Sequence, residues 1–134
     1  MSNNRKFLIV EKNLIKAMRM EKMLKDSGAE SIGIATDYVT SMLLIKDQTP
    51  DVVFINPNLT LEGEGLGVAN EIQLVAECDI FIFTAELSDV LKERFLVAHS
   101  YVFVMETDDE CLKSALVNDQ TSSSFVKGGN LVGK

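Results

Sequence analysis

The sequence predicts an α/β domain, a parallel sheet wound on both sides by helices. Two observations carry that prediction and a third supports it. Five short apolar runs alternate with longer amphipathic segments along the chain. Four of the runs are rich in Val, Ile and Phe with little polar alternation, as strands covered on both faces require. Capping residues also stand at several segment boundaries. Strands alternating with helices imply βαβ units, and right-handed crossovers place helices on both faces of the sheet.

The elements follow in order. Phe7–Val10 is the first strand. Asn13–Ser27 is a helix, with Leu14, Met18 and Leu24 at helical spacing and Gly28 just past its end. The second run, 31–35 (Ser-Ile-Gly-Ile-Ala), is the weakest. Gly33 would weaken a strand interior, so this strand is expected at a sheet edge. A helix over Asp37–Lys46 starts from Thr36 or Asp37 as cap, and Pro50 bars its continuation. Val52–Ile55 is the third strand and Leu66–Ala76 the third helix. The loop 60–65, with two Glu and two Gly but no Lys, is unsuited to cradling phosphate and is expected to turn flexibly. Ile80–Phe83 is the fourth strand, and Leu87–Val97 the fourth helix with Ser88 as a candidate cap. Tyr101–Met105 is the fifth strand. Thr107 with Glu110 three residues later forms a capping box opening a fifth helix to about Val117. Residues 1–118 then form one domain. Residues 119–134, rich in Ser and ending in Gly-containing sequence, read as a flexible tail or linker.

The chain has 134 residues, a length that suits one domain with its own core. Thirteen Lys and Arg against 20 Asp and Glu give a net charge of −7. That balance, with no Lys/Arg run, argues against gripping nucleic acid or an anionic membrane. Cys78 and Cys111 are too few for a disulfide framework and read as small buried hydrophobes. No apolar run approaches a membrane span, and no signal-peptide pattern precedes the first strand, so a cytoplasmic protein is expected. His99, the one imidazole, has no Cys/His neighbour in sequence and reads as solvated or capping. The methionines Met18, Met20, Met23 and Met42 read mainly as core filling, with an adaptable surface as the other use.

In an open parallel sheet, ligands gather beyond the carboxyl ends of the strands. Here those ends carry Glu11-Lys12-Asn13, Asn56-Pro57-Asn58, Thr84-Ala85-Glu86 and Met105-Glu106. Three blocks, 7–11 (Phe-Leu-Ile-Val-Glu), 50–56 (Pro-Asp-Val-Val-Phe-Ile-Asn) and 83–85 (Phe-Thr-Ala), resemble the receiver domain of response regulators in content and spacing. The resemblance spans about Lys6 to Val117. It implies a doubly wound five-stranded sheet in the order 2-1-3-4-5, flavodoxin-like in fold. It also implies a site with an acidic pair holding Mg²⁺, a phosphoacceptor Asp, a Thr or Ser, and a Lys.

Matched position by position, the chain keeps little of that set. Glu11 matches the first acid, and Lys12 falls on the second. Asn56 falls on the phosphoacceptor and Thr84 matches the hydroxyl. The Lys position falls on Val104, or on Glu106 if the alignment slips by two. An amide is a poor nucleophile for phosphoryl transfer, and Mg²⁺ needs hard oxygen ligands. A Lys12 ammonium about 4 Å from a dication would repel it by roughly 8 kcal/mol at an effective dielectric of 20. Pro57 has no N–H with which to deamidate Asn56. The expectation is therefore a degenerate pseudo-receiver with no Mg²⁺, no cofactor and no catalytic residue. Glu11, Lys12, Asn56 and Thr84 would form a metal-free polar cluster, with Lys12 pairing with Glu11 and donating to Asn56.

The function implied is phosphorylation-independent signalling through protein–protein contact, with a protein partner or a homodimer. The family's usual partner face is the fourth helix, fifth strand and fifth helix. Its candidates here are Leu91, Phe95, Tyr101, Phe103 and Leu112. Two alternatives are a receiver-like domain switched by a small ligand in the altered cleft and, less favoured, a flavodoxin-like enzyme.

Overall fold

Alternation within each central strand decides which side of the sheet each residue covers. In the computed structural model, residues 5–59, 64–84, 102–105, 109–116, 126–127 and 130–131 are described. The first strand, β1 (Lys6–Val10), leads into α1 (Leu14–Asp26), then β2 (Glu30–Ala35), α2 (Tyr38–Asp47) and β3 (Val52–Ile55). α3 (Glu64–Val75), β4 (Asp79–Thr84) and β5 (Val102–Met105) follow. The fourth described helix, α4 (Asp109–Ala115), is the fifth of those expected from sequence. Two-residue strands β6 (Val126–Lys127) and β7 (Asn130–Leu131) come last.

The strands form one sheet in the order β2-β1-β3-β4-β5-β6-β7. β1 to β5 pair in parallel, and β6 and β7 antiparallel. The register is continuous across the centre: Val10 pairs with Ile55, Ile55 with Ile82, and Ile82 with Phe103.

Odd and even positions of β1 split between two cores. Phe7, Ile9, Val52, Phe54, Phe81 and Phe83 pack with Ala17, Met20 and Leu24 of α1 and with Leu112 and Leu116. Leu8, Val10, Val53, Ile55, Ile80 and Ile82 pack with Ile45 of α2 and Val68, Ala69 and Ile72 of α3. The aromatics thus gather on one side and branched aliphatics on the other. Phe7 meets Phe54 edge-on, with ring centroids 6.4 Å apart, and Phe54 meets Phe81 at 5.8 Å. Each such ring buried is worth about 1.5–3 kcal/mol over leaving it in water.

Local chemistry sets the helix ends. Asn13 caps α1 by accepting from the Lys16 N–H, and Asp37 caps α2 by accepting from the Thr40 N–H at 2.8 Å. That backbone bond holds the Asp37 carboxyl below its usual range. Gly28 follows α1 with φ +105°, a conformation glycine adopts freely. Gly33 has φ +139° where the β1–β2 register slips, and β2 is the sheet edge, as its sequence suggested.

Some boundaries differ from the sequence reading. α3 begins at Glu64, so Gly65, read as part of a flexible loop, lies in a helix. β6 and β7 lie within the stretch read as a tail, flanking Gly128-Gly129, and Gly-Gly is itself a hairpin signal. The expected fourth helix over 87–97, Thr107 of the capping box, and His99 lie outside the described residues.

Candidate functional site

Because β1 and β3 are neighbours in register, the residues that follow them emerge side by side. The Asn56 N–H donates to the Val10 carbonyl at 2.9 Å, and the Glu11 N–H donates to Ala35 at 2.9 Å. Glu11 and Asn56 are therefore fixed by the sheet itself. Glu11 is only 2 % exposed, which is rare for a carboxylate and demands partners.

Those partners are neutral donors. The Asn56 side-chain Nδ2 donates to Glu11 Oε1 at 2.8 Å. The Asn13 backbone N–H donates to Glu11 Oε2 at 2.8 Å. Asn56 Oδ1 in turn accepts from the Asn58 N–H at 2.8 Å. The amide is thus oriented by both of its ends: its nitrogen faces the carboxylate and its oxygen faces the loop. Glu11 also lies just before α1, whose N-terminal dipole favours a negative charge.

Gly65 is what lets α3 close over this loop. Its N–H donates to the Pro57 carbonyl at 3.0 Å. A β-carbon at Gly65 would collide with the Asn56 carbonyl oxygen and sit 2.7 Å from the Pro57 Cα. The sequence signal for Gly65 was read as loop flexibility; its role is close approach.

Two expectations need correction. Lys12 was expected to pair with Glu11 and donate to Asn56; it is exposed, and Asn56 does the donating. The chain direction at the end of β1 turns Glu11 inward and the next residue outward, where an ammonium keeps its water. Leu112 was expected on the partner face. It is 1 % exposed and packs in the core with Phe81 and Phe83. Its place on the inner stripe of α4 sets that direction.

The other candidates stand as follows. Thr84 closes β4, paired with Met105, while Val104 and Phe103 lie in β5, paired with Phe83 and Ile82. Only the backbone of these three is described. Leu91, Phe95 and Tyr101 lie outside the described residues.

The donor set does not fit Mg²⁺. A hard dication needs several oxygen ligands, chiefly carboxylates. Glu11 is one carboxylate with both oxygens already bonded to protein donors. Among the described residues, no group of three or more His, Cys, Asp or Glu side chains is placed to hold a metal ion. Asn56 brings no acceptor oxygen of the kind phosphoryl transfer uses, and its own oxygen is committed to Asn58.

A second cluster, at the opposite ends of the strands, was not anticipated. Arg5 Nη2 pairs with Asp79 Oδ2 at 2.9 Å, and Arg5 Nη1 donates to the Leu116 carbonyl at 3.3 Å. Asp51 Oδ2 accepts the Lys6 N–H at 2.8 Å. This clasp ties β1, β3, β4 and the end of α4 together beside an open depression of about 590 Å³. Cys78 lines the depression; burial, helped by the Asp79 and Asp51 carboxylates, pushes its thiol up to about 11. On the α2–α3 side, the Tyr38 hydroxyl donates to Glu71 Oε1 at 3.1 Å, a bond that raises the tyrosine's pKa.

No protein-family model matches the chain, and no curated protein matches it. Solved structures do. The signal receiver domain of NarL from Mycobacterium tuberculosis superposes with a TM-score of 0.76 at 15% identity, covering 87% of this chain and 95% of that one. The response regulator PhyR from Brucella abortus gives 0.69 at 20% identity, covering 96% of this chain and 48% of that one. This chain thus spans about half the length of that protein. Anti-anti-sigma factor PhyR in complex with anti-sigma factor NepR, from Bartonella quintana, gives 0.55 at 19% identity, covering 57% of this chain and 32% of that one. The fold is that of receiver domains, an α/β parallel sheet with helices on both faces. No described helix is long and apolar enough to cross a membrane.

Proposed function

We propose that this chain is a receiver-fold signalling module, without enzymatic activity, that takes up no phosphoryl group and acts by binding other proteins. The observation that carries this reading is the Asn56 amide donating to Glu11 at 2.8 Å. At the position where the resemblance expects an acceptor aspartate, the chain places a hydrogen-bond donor. That donor satisfies the one carboxylate that a metal would otherwise neutralise. The state of the site is then set by covalent structure rather than by phosphorylation.

The similarity to PhyR in complex with NepR supports protein binding as the output. In this reading residues 1–118 are the module, working in the cytoplasm. The partner face runs over 87–97, β5 and α4, with Leu91, Phe95, Tyr101 and Phe103 as its contacts and a protein partner or a second copy as its occupant.

The test is incubation with acetyl phosphate and Mg²⁺, read by intact mass, and with beryllofluoride and Mg²⁺, read by amide chemical shifts. The expected result is an unchanged mass and unmoved resonances. A stable phosphoryl adduct on this chain would overturn the proposal.

A further inference from the structure

Helices α2 and α3 pack on the same side of the sheet, and a groove of about 470 Å³ opens between them. Tyr38 of α2 lines it, with Glu64, Gly67, Val68, Asn70 and Glu71 of α3. Val68 is buried and gives the groove an apolar floor. Gly67 keeps it open. Its backbone has no positive φ that would call for glycine, and glycine is a poor helix residue. A β-carbon there would meet nothing within 4 Å, so what this glycine supplies is room.

At the groove an aromatic ring and a carboxylate are tied together. The Tyr38 hydroxyl donates to Glu71 Oε1 at 3.1 Å, while Tyr38 stays 40 % exposed. That bond uses one carboxylate oxygen, and the other keeps acceptor capacity. Leu74 and Val75 follow Glu71 at i+3 and i+4, so they share its face of α3. They are 79 % and 54 % exposed. Single exposed apolar residues are ordinary, but these two extend the face that carries the carboxylate. The two helices and their flanks are also acidic. Residues 37–47 and 64–77 hold Asp37, Asp47, Glu64, Glu71 and Glu77 against one cation, Lys46, a net charge of −4. Among the described residues, no Lys or Arg lines the groove.

We infer that the α2–α3 groove binds a basic segment of a partner protein, with an arginine side chain seated against Tyr38 and Glu71. Charge complementarity selects the partner's sign. The paired ring and carboxylate select arginine. Its guanidinium is planar, stacks on an aromatic face and forks onto a carboxylate, which a compact ammonium does less well. The room beside Gly67 accepts the arginine stem over the apolar floor that Val68 provides. An apolar residue next to the arginine then covers Leu74 and Val75. A second copy docking through the same face would set −4 against −4. Nucleic acid would meet the same repulsion. The groove shares no residue with the 87–97, β5 and α4 face or with the Glu11–Asn56 pair, so its occupancy does not depend on phosphorylation.

The test uses the full chain and a dye-labelled synthetic peptide of Arg and Leu spaced by Ser, read by fluorescence anisotropy. Saturable binding is expected, weakening as salt rises. Tyr38→Ala should weaken it about tenfold, and Glu71→Gln about threefold with a flatter salt dependence. Gly67→Leu, which fills open space, should block the groove while the melting temperature holds. Glu30→Gln removes the same charge from an exposed site on β2 and should leave binding unchanged. Lys in place of Arg in the peptide should bind more weakly. No saturable binding would overturn the inference. So would equal losses in Glu30→Gln and Glu71→Gln, which would mean attraction to net charge alone, or binding indifferent to Gly67→Leu. Self-association of the chain that Gly67→Leu abolishes would put a second copy in the groove and overturn it too.

Discussion

At the amino ends of the strands, Arg5 meets Asp79 at 2.9 Å and reaches the backbone carbonyls of Asp51 and Leu116. At the carboxyl ends, Glu11 is held at 2.8 Å by an amide and a backbone N–H, and its only cationic neighbour in sequence, Lys12, points to solvent. One end joins strands with opposite charges. Among the described residues, the other stabilises a single buried carboxylate with neutral dipoles. The difference teaches where this fold uses charge. The ion pair is a structural clasp with both partners partly exposed. At the carboxyl end, where an open α/β sheet ordinarily gathers its ligands, the Glu11 carboxylate takes both of its hydrogen bonds from protein donors.

The strongest way to break that contrast is Asn56→Asp. It removes a donor from Glu11 and sets two carboxylates against each other, a repulsion of about 4 kcal/mol at 4 Å and an effective dielectric of 20. A loss of about 2–4 kcal/mol of stability is expected at neutral pH, measured by urea unfolding. The sign is testable. The variant should regain stability as pH falls and protons neutralise the pair, and should regain part of it on adding Mg²⁺.

Removing Arg5 comes next. Arg5→Ala removes the cation that pairs with Asp79 and a donor to the Asp51 and Leu116 carbonyls, at a cost of about 1–3 kcal/mol, whereas Lys12→Ala should stay within about 0.5 kcal/mol. Equal losses in the two variants would erase the distinction between the ends. The smallest effect concerns Cys78. Its thiol, pushed up to about 11, should resist alkylation at neutral pH in a Cys111→Ser background, with the rate climbing only as pH nears that value. The accompanying stability term has the same sign. The folded state holds the proton longer than an ordinary thiol, near 9.0, so stability falls as pH rises between 9.0 and about 11.

Much of the fold was legible because its signals are local. Pro50 ends a helix, Asp37 caps one, and Gly33 marks the weak edge strand, each from chemistry within a few residues. The position of Asn56 was legible from the order of the strands. Its bond to Glu11 was not, because the two are 45 residues apart and which way Lys12 points is decided by the turn out of β1. Nothing local to Arg5 signals its role: its partners, the Asp51 carbonyl and the Asp79 carboxylate, stand at the starts of neighbouring strands, which only pairing reveals. Gly65 was taken as flexibility, since a glycine needed for close approach reads the same in one dimension. Leu112 was assigned to a surface by analogy with an element, and the inner stripe of its own helix decided otherwise.

The central claim is that the Asn56 amide stands in for a metal ion at Glu11. Its most direct test is a Mg²⁺ titration followed by the amide resonances of Glu11, Asn13, Asn56 and Asn58. The account predicts that these signals stay in place into the tens of millimolar, in the parent chain though not in Asn56→Asp. A saturating shift at those four residues with a millimolar or tighter midpoint would contradict it.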